Sequence, residues 1–233
     1  RLTGKQIGSK YGFIANGLFQ SEEEIANSAT VKGYKALPGY IKYVDRNGDG
    51  IITAAQDQGY VGKSATPKHT GSLNLFGNWK GFDFDLLFSW GLGNVVALTG
   101  QYTASGSVGT QDNTSFTKPF YHGGNSPTFL VENSWTPDNT NAEFPRLEIS
   151  GPSNNNGFSS TFWYRNGNYM RLKTAQIGYN FPKKWLTPAG IEGLRLYVEG
   201  YNLLTFSGLT KYNIDPESPA VNNGYYPQQR TYT

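Results

Sequence analysis

Cysteine is absent from the chain and histidine is scarce, with two residues among 233. The lack of cysteine excludes disulfide scaffolds, thiolate metal sites and cysteine nucleophiles. His69 and His122 stand outside any metal-ligand or nucleophile motif, so we expect them on the surface or in loops, and we expect no enzyme. Charged residues are also few, at 16%, and the net charge of +3 is too small to indicate a nucleic-acid partner.

Long hydrophobic runs are missing as well. The longest lies around residues 95–98, far short of the ~18 residues that a membrane helix requires. A helical membrane protein is therefore excluded, whereas a membrane barrel is not, because its strands alternate between apolar and polar residues. Residues 1–10 contain neither an initiator methionine nor an apolar signal core, so we expect any targeting segment to be removed or to lie upstream.

Glycine, with 29 residues, and aromatic side chains, at 15%, are in excess. Strand periodicity is clearest from Gly81 to Gly91, where large apolar residues alternate with mostly polar ones. The apolar positions are Phe82, Phe84, Leu86, Phe88 and Trp90. This segment matches the ~9 to 11 residues with which a tilted strand crosses a bilayer.

The preceding segment, Gly71 to Lys80, carries Leu73 and Leu75 in the same alternation. We expect its phase to shift near Phe76, where an aromatic residue interrupts the pattern. The dipeptide Lys80-Gly81 then separates the two alternating segments, which predicts a hairpin that turns there.

Two more strands are predicted further along the chain. Leu194 to Leu203 alternates cleanly, whereas Tyr169 to Phe181 changes parity, which predicts a β-bulge near Lys173-Thr174. Weaker strands are expected within 11–20 and 40–44. A capped helical turn is expected within 21–29, where Ser21 precedes three glutamates.

Long stretches rich in Gly, Ser, Asn and Pro lie between these strands, chiefly 99–160 and 206–226. No linker divides the chain. We therefore predict a single all-β domain over residues 1–233, with long loops at 99–160 and 206–226. Loops of this length usually carry function.

The sharpest local motif covers residues 45–53, Asp-Arg-Asn-Gly-Asp-Gly-Ile-Ile-Thr, which match the first nine positions of a calcium loop. Gly50 allows the sharp turn that such a loop needs. The twelfth position holds Gln56 in place of the usual glutamate, and the nearest carboxylate follows one residue later. The predicted ligands of a loose structural Ca²⁺ site are Asp45, Asn47, Asp49, the Ile51 carbonyl and Asp57. An Asx-rich turn without metal is the alternative.

Other constellations carry less information. Asp83 and Asp85 share one strand face, but a polar strand face explains them better than a glycosidase pair does. Aromatic residues in the long polar stretches are candidates for stacking on a sugar or peptide substrate, or for the girdles at membrane interfaces, and both interpretations stay open. The substrate candidates are Trp135, Trp163, Tyr164 and Tyr225.

Short motifs in a fixed order then point to a family. They comprise Tyr-Gly-Phe at 11–13, Gly-Leu-Phe-Gln-Ser at 17–21, Pro-Gly-Tyr-Ile-Lys-Tyr at 38–43, the loop at 45–50, Lys-Gly-Phe-Asp at 80–83, Trp-Thr-Pro at 135–137, Phe-Pro-Arg at 144–146, Asn-Tyr-Met-Arg-Leu-Lys at 168–173, Gly-Tyr-Asn-Phe-Pro at 178–182 and Tyr-Val-Glu-Gly-Tyr-Asn-Leu-Leu-Thr at 197–205. Together they closely resemble the later, C-terminal barrel part of the SusC/RagA-type TonB-dependent outer-membrane transporters of Bacteroidetes.

The resemblance implies an antiparallel transmembrane β-barrel segment, the C-terminal part of a plugged barrel of about 22 strands in the bacterial outer membrane. It implies active import of oligosaccharides or peptides with a SusD-like surface lipoprotein, energised by the TonB complex through an N-terminal part that this sequence lacks. Phe82, Phe84, Leu86 and Phe88 would then face outer-membrane lipid, with Trp90 at an interface. The calcium loop belongs to the family pattern, although Asp57 falls one position late.

A soluble calcium-stabilised β-sandwich that binds carbohydrate is the alternative function. The two interpretations differ in the surroundings of the Phe82 to Trp90 face, which would be lipid in the transporter and a packed core in the sandwich.

Overall fold

The computed structural model describes residues 4, 7–62, 64–98, 126–147, 155–218 and 228–233. The chain forms two compact units, each built from two separated stretches. Unit 1 comprises Arg1–Ala65 and Ala97–Arg165, and unit 2 comprises Thr66–Val96 and Asn166–Thr233. The chain crosses between the units three times, after residues 65, 96 and 165, so no single linker separates them.

Unit 1 is made of short elements joined by loops. Its first stretch contains β1 (Lys10–Gly12), β2 (Ala15–Leu18), α1 (Glu22–Ala26), β3 (Thr30–Val31), β4 (Ile41–Tyr43), β5 (Ile51–Ile52), α2 (Ala54–Asp57) and β6 (Gly59–Gly62). Two further strands at the boundaries of the units are β9 (Val95–Ala97) and β10 (Tyr164–Asn166), and the second stretch contains α3 (Thr128–Glu132) and a 3₁₀ turn (Thr161–Trp163).

The strands of unit 1 pair over two to four residues. β1 pairs with β6 and β2 with β4, both antiparallel, whereas β3 and β5 run parallel. Because such short ladders stabilise little on their own, a buried apolar core must hold the unit together. Its most deeply buried members are Phe13, Ile41, Ile52, Leu130 and Phe144.

The capped helical turn predicted within 21–29 is confirmed as α1. Ser21 is its N-cap, and the Ser21 hydroxyl accepts the Glu24 N–H at 3.1 Å, while the Glu24 carboxylate accepts the Gln20 N–H at 2.7 Å. This reciprocal pair satisfies two N–H groups at the start of the helix. A hydrogen bond from Lys42 holds the pKa of Glu24 below its usual value, so the carboxylate stays ionised as a cap.

Unit 2 is a five-stranded antiparallel sheet with long strands. They are β7 (His69–Trp79), β8 (Phe82–Leu92), β11 (Tyr169–Asn180), β12 (Arg195–Ser207) and the short edge strand β13 (Thr231–Tyr232), in the sheet order β13-β12-β11-β8-β7. Helix α4 (Lys183–Leu186) and a 3₁₀ turn (Thr187–Ala189) connect β11 to β12, and another 3₁₀ turn (Thr210–Tyr212) follows β12.

The predicted hairpin is confirmed, because β7 and β8 pair in register from His69↔Leu92 to Trp79↔Phe82. Lys80 and Gly81 form its turn with φ angles of 49° and 94°, the left-handed pair that a two-residue turn joining twisted strands requires. The expected shift of phase near Phe76 is absent. Phe76 instead lies opposite Asp85 on the polar face, where an aromatic ring is accommodated without a change of register.

The predicted bulge in β11 is also confirmed. The register of β11 shifts between Leu172 and Thr174 against both of its neighbours, β8 and β12. Lys173 is the extra residue relative to β8, because Phe88 and Leu87 are consecutive partners of Leu172 and Thr174. The bulge restores the two-residue period on each side of it.

None of the helices in the described ranges is long and apolar enough to cross a membrane. The connections within unit 2 are unequal in length. At one end of the sheet lie the two-residue turn after β7 and the α4 connection after β11, whereas the chain from β8 to β11 and the chain after β12 leave from the other end.

Candidate functional site

One face of the unit 2 sheet is apolar across all four long strands, as the register shows. This face, named here the apolar sheet face, is formed by Leu73, Leu75, Trp79, Phe82, Phe84, Leu86, Phe88, Trp90, Met170, Leu172, Ala175, Ile177, Tyr179, Leu196, Val198, Leu204 and Phe206. Much of it is open to the surroundings, with Phe82 53% and Val198 67% exposed. Apolar area on this scale marks a surface that meets lipid or another protein.

The opposite face of the same sheet is polar. Near the Lys80-Gly81 turn, Arg195 donates to both oxygens of Asp83 at 2.5 and 3.1 Å and to Gln176 at 2.8 Å. Asn180 donates to the same Asp83 carboxylate at 2.7 Å. Asp83 is therefore a partner in a network that spans three strands, which agrees with a structural role.

A second cluster of charges lies towards the other end of this face and was missed in the sequence. Arg171 is 2% exposed, and its guanidinium donates to Asp215 at 2.6 Å and contacts Glu217 at 2.9 Å. Lys173 contacts the same Glu217 oxygen at 2.9 Å. The two acids lie in the segment that follows β12, so the cluster fastens this segment to the sheet.

Asp215 is also held by backbone groups. Its carboxylate accepts the N–H of Glu217 at 2.9 Å and that of Gln228 at 3.1 Å. Burial acts to raise the pKa of Asp215, but these two hydrogen bonds and Arg171 outweigh it, so the pKa lies below its usual value and the group stays ionised. The sequence signal for this charged cluster was the pair of cations at positions 171 and 173 of a predicted strand.

The predicted calcium loop turns as expected, with Gly50 at a φ of 84°. Asp45 accepts the N–H groups of Gly48 and Gly50, each at 2.7 Å. The hydrogen bond from Gly50 is the main reason that the pKa of Asp45 lies below its usual value. Asn47 donates its side-chain amide to Asp49 at 2.8 Å, so these two predicted ligands lie together.

Asp57, the predicted late ligand, is fully buried. Its two oxygens accept the N–H of Arg46 at 2.8 Å and that of Thr53 at 2.7 Å, which ties the two ends of the loop together. The Ile51 N–H donates to Asp49 at 2.9 Å. Oxygen atoms suit Ca²⁺, but within the described residues no three His, Asp or Glu side chains converge on one point. Calcium binding stays a prediction.

The predicted substrate aromatics occupy different surroundings. Trp135 and Trp163 are 6% and 7% exposed, and their indole N–H groups donate to Gln20 at 2.9 Å and to the Asn156 carbonyl at 2.7 Å. Both rings belong to the core of unit 1. The hydroxyl of Tyr164 lies 2.9 Å from that of Ser159. Tyr225 lies outside the described residues.

No protein-family model matches the sequence. Curated relatives do match it. TonB-dependent receptor P3 of Formosa agariphila is 32% identical over 244 positions that cover 99% of this chain. The chain is therefore similar to a TonB-dependent receptor over nearly all of its own length. Receptors P26 and P39 of the same organism are 28% and 24% identical and cover 100% and 90% of the chain. The chain spans about a fifth of the length of these curated relatives, 22% in each.

Solved structures agree on the fold. A chain of the RagAB peptide transporter superposes with a TM-score of 0.59 at 23% identity, over 96% of this chain and 22% of its own length. The open-open and closed-closed states of the RagAB peptide importer give TM-scores of 0.58 each. These relatives are named receptors and transporters, not enzymes, and TonB-dependent receptors are outer-membrane proteins of Gram-negative bacteria.

Proposed function

We propose that this protein acts in the outer membrane of a bacterium, in the TonB-energised import of oligosaccharides or peptides. The single observation that carries the proposal is the apolar sheet face. Its strands β7, β8, β11 and β12 are 11, 11, 12 and 13 residues long, and a tilted strand needs about 9 to 11 residues to cross hydrocarbon. In this proposal the apolar sheet face contacts lipid and the polar face lines the barrel lumen.

The unequal connections support an orientation. Bacterial barrels have short turns on the periplasmic side and long loops outside. The Lys80-Gly81 turn and the α4 connection therefore face the periplasm in this proposal. The predicted loops at 99–160 and 206–226 leave from the other end of the sheet and face outside, where they meet the substrate and a SusD-like lipoprotein. Residues 99–125, 148–154 and 219–227 of these loops lie outside the described ranges.

We also propose that the loop at 45–53 holds a structural Ca²⁺. Asp45, Asn47 and Asp49 bring oxygen atoms to one short loop, and the lowered pKa of Asp45 keeps its carboxylate charged. Asp57 would act mainly by closing the loop, since it is fully buried and its oxygens accept N–H groups from both ends of the loop. The ion would stiffen the loop and supply no chemistry.

The alternative of a soluble carbohydrate-binding sandwich requires the apolar sheet face to be packed against a second sheet. The exposure of Phe82 and Val198 argues against that arrangement. A requirement for detergent in solution would support the membrane assignment, whereas a monodisperse protein without detergent would favour the sandwich.

Uptake by living cells tests the proposed function. We expect that deletion of the gene abolishes uptake of either labelled oligosaccharides or labelled oligopeptides, and that deletion of TonB has the same effect. Reintroduction of the gene should restore uptake. Undiminished uptake of both substrate classes after gene deletion would refute the proposal.

The design of loop variants follows from the structure. Deletion of residues 123–156 would shorten the first long loop. It would also remove Leu130, Trp135 and Phe144, which are buried in unit 1, and so would damage the fold. Substitution of an exposed residue such as Val131 is a cleaner test of contact with a lipoprotein.

A further inference from the structure

Unit 1 contains a cavity of about 460 Å³ beside the parallel pair of β3 and β5. This volume lies within the range of ~300 to 1,000 Å³ typical of ligand sites. The cavity, named here the aromatic pocket, is lined by Phe13, Val31, Lys32, Tyr34, Ile52, Thr53, Ala54, Gln58, Phe158 and Ser159.

The aromatic rings around the pocket support one another. Phe158 stacks on Phe13 with ring centroids 5.7 Å apart, and Tyr34 meets Phe158 edge-on at 5.0 Å. Behind them Tyr43 packs against Phe13 at 5.1 Å. Burial raises the pKa of Tyr43, so its hydroxyl stays protonated and donates to the Asn155 carbonyl at 2.9 Å.

Backbone hydrogen bonds fix the same wall. The Phe13 N–H donates to the Ser159 carbonyl at 2.8 Å, and the Thr161 N–H donates to the Phe13 carbonyl at 3.0 Å. Among the other lining residues, the Lys32 N–H donates to the Ile52 carbonyl at 3.0 Å. The pocket is therefore formed before a ligand arrives, which lowers the entropy cost of binding.

Among the described lining residues, Lys32 is the one charged side chain, and Lys32 is exposed. Six of the ten lining residues are apolar or aromatic. A sugar would leave most of its hydroxyl groups without partners against such a wall, whereas an apolar side chain would gain from burial there.

We propose that the aromatic pocket binds an apolar or aromatic side chain that carries a carboxylate beside it, as the C-terminal residue of a peptide does. The side chain packs against the Tyr34–Phe158 pair inside the pocket, and the carboxylate accepts from the Lys32 ammonium. Binding of a peptide to the pocket does not depend on the proposed function. Only the statement that the bound peptide is also the transported molecule rests on it.

Titration calorimetry of the whole gene product, purified in detergent, tests the proposal with the tripeptide Gly-Gly-Phe and its C-terminal amide. We expect the free acid to bind about tenfold more tightly than the amide, the effect of one charge-assisted hydrogen bond. In K32Q the two peptides should bind equally. K35Q, which changes an exposed lysine outside the lining, should keep the difference.

A second variant separates recognition from folding. F158L preserves an apolar wall but removes the ring, so it should weaken both peptides while the acid remains the tighter. Equal binding of acid and amide to the unaltered protein, or displacement of Gly-Gly-Phe by an uncharged maltooligosaccharide, would overturn the proposal. Peptide binding without peptide uptake would refute transport of peptides but leave the pocket assignment intact.

Discussion

Unit 1 buries its large aromatic side chains, with Phe144 fully enclosed and Trp135 nearly so, whereas unit 2 leaves Phe82 and Phe84 of the apolar sheet face about half exposed. Both units are rich in aromatic residues, but unit 1 encloses them with its own loops. The long strands of unit 2 contribute one layer and nothing of the sheet itself covers the apolar side. Composition alone is therefore a poor guide to whether an aromatic residue stabilises a core or meets the surroundings.

The largest effect expected from this contrast is in the core of unit 1. F144A should lower the free energy of unfolding by about 3 to 5 kcal/mol, because it removes a fully buried ring and leaves a cavity. F76A, at a residue 76% exposed on the polar sheet face, should have little effect. Thermal unfolding in detergent, followed by limited proteolysis of unit 1, measures both. A loss of equal size in the two variants would remove the distinction.

The apolar sheet face should respond to charge more than to size. F84R should impair assembly by about 2 to 4 kcal/mol, the cost of a cation at mid-bilayer on a barrel's outer face. D85R, one residue along on the polar face, should be milder, and F84L should assemble normally. The heat-modified mobility of the protein in gels reports assembly. If F84R and D85R were tolerated alike, the apolar sheet face would not face lipid.

Calcium should affect unit 1 and leave the sheet unchanged. At a free Ca²⁺ concentration one hundred times the dissociation constant, a bound ion adds about 2.7 kcal/mol to stability. We expect calcium, compared with EGTA, to raise the unfolding temperature of unit 1, and D45N to lose this gain. D138N, at an exposed acid outside the loop, is the matched control. An identical response to calcium in D45N would contradict the site.

The smallest effect belongs to the β7–β8 turn. G81A should destabilise the hairpin by about 1 kcal/mol, because alanine is strained at a φ of 94° and its Cβ would lie 3.0 Å from the Asn180 carbonyl. K80N should be neutral or slightly stabilising, since asparagine tolerates the left-handed region better than lysine. Thermal unfolding of G81A and K80N, compared directly, measures this difference in hairpin stability.

The sequence predicted the sheet of unit 2 more accurately than the core of unit 1, for a physical reason. In β8 and β12 the side-chain alternation is a local signal, and the turn at Lys80-Gly81 and the bulge at Lys173 have local signatures as well. Unit 1 is held by partners far apart in sequence. For example, the Ile41 N–H donates at 2.8 Å to the side chain of Asn156, 115 residues later.

The candidate sites divide in the same way. The loop at 45–53 was recognised because its donor atoms are consecutive in sequence. The aromatic pocket was missed because Tyr34 and Phe158 come from separate stretches of the chain with no shared periodicity. Arg171 could be noted as a charge on a strand, but its acidic partners lie 44 and 46 residues away in a segment without strand periodicity.

The extra residue at Lys173 has a consequence for how this sheet can change in evolution. Each strand of unit 2 has two faces with different surroundings, so the gain or loss of one residue turns every later side chain to the wrong side. Loss of Lys173 would bring Ile177 and Tyr179 to the polar face while their partners in β8 and β12 stayed in place. Single-residue insertions and deletions should therefore be rare in these strands among related sequences and, where they occur, should coincide with a bulge.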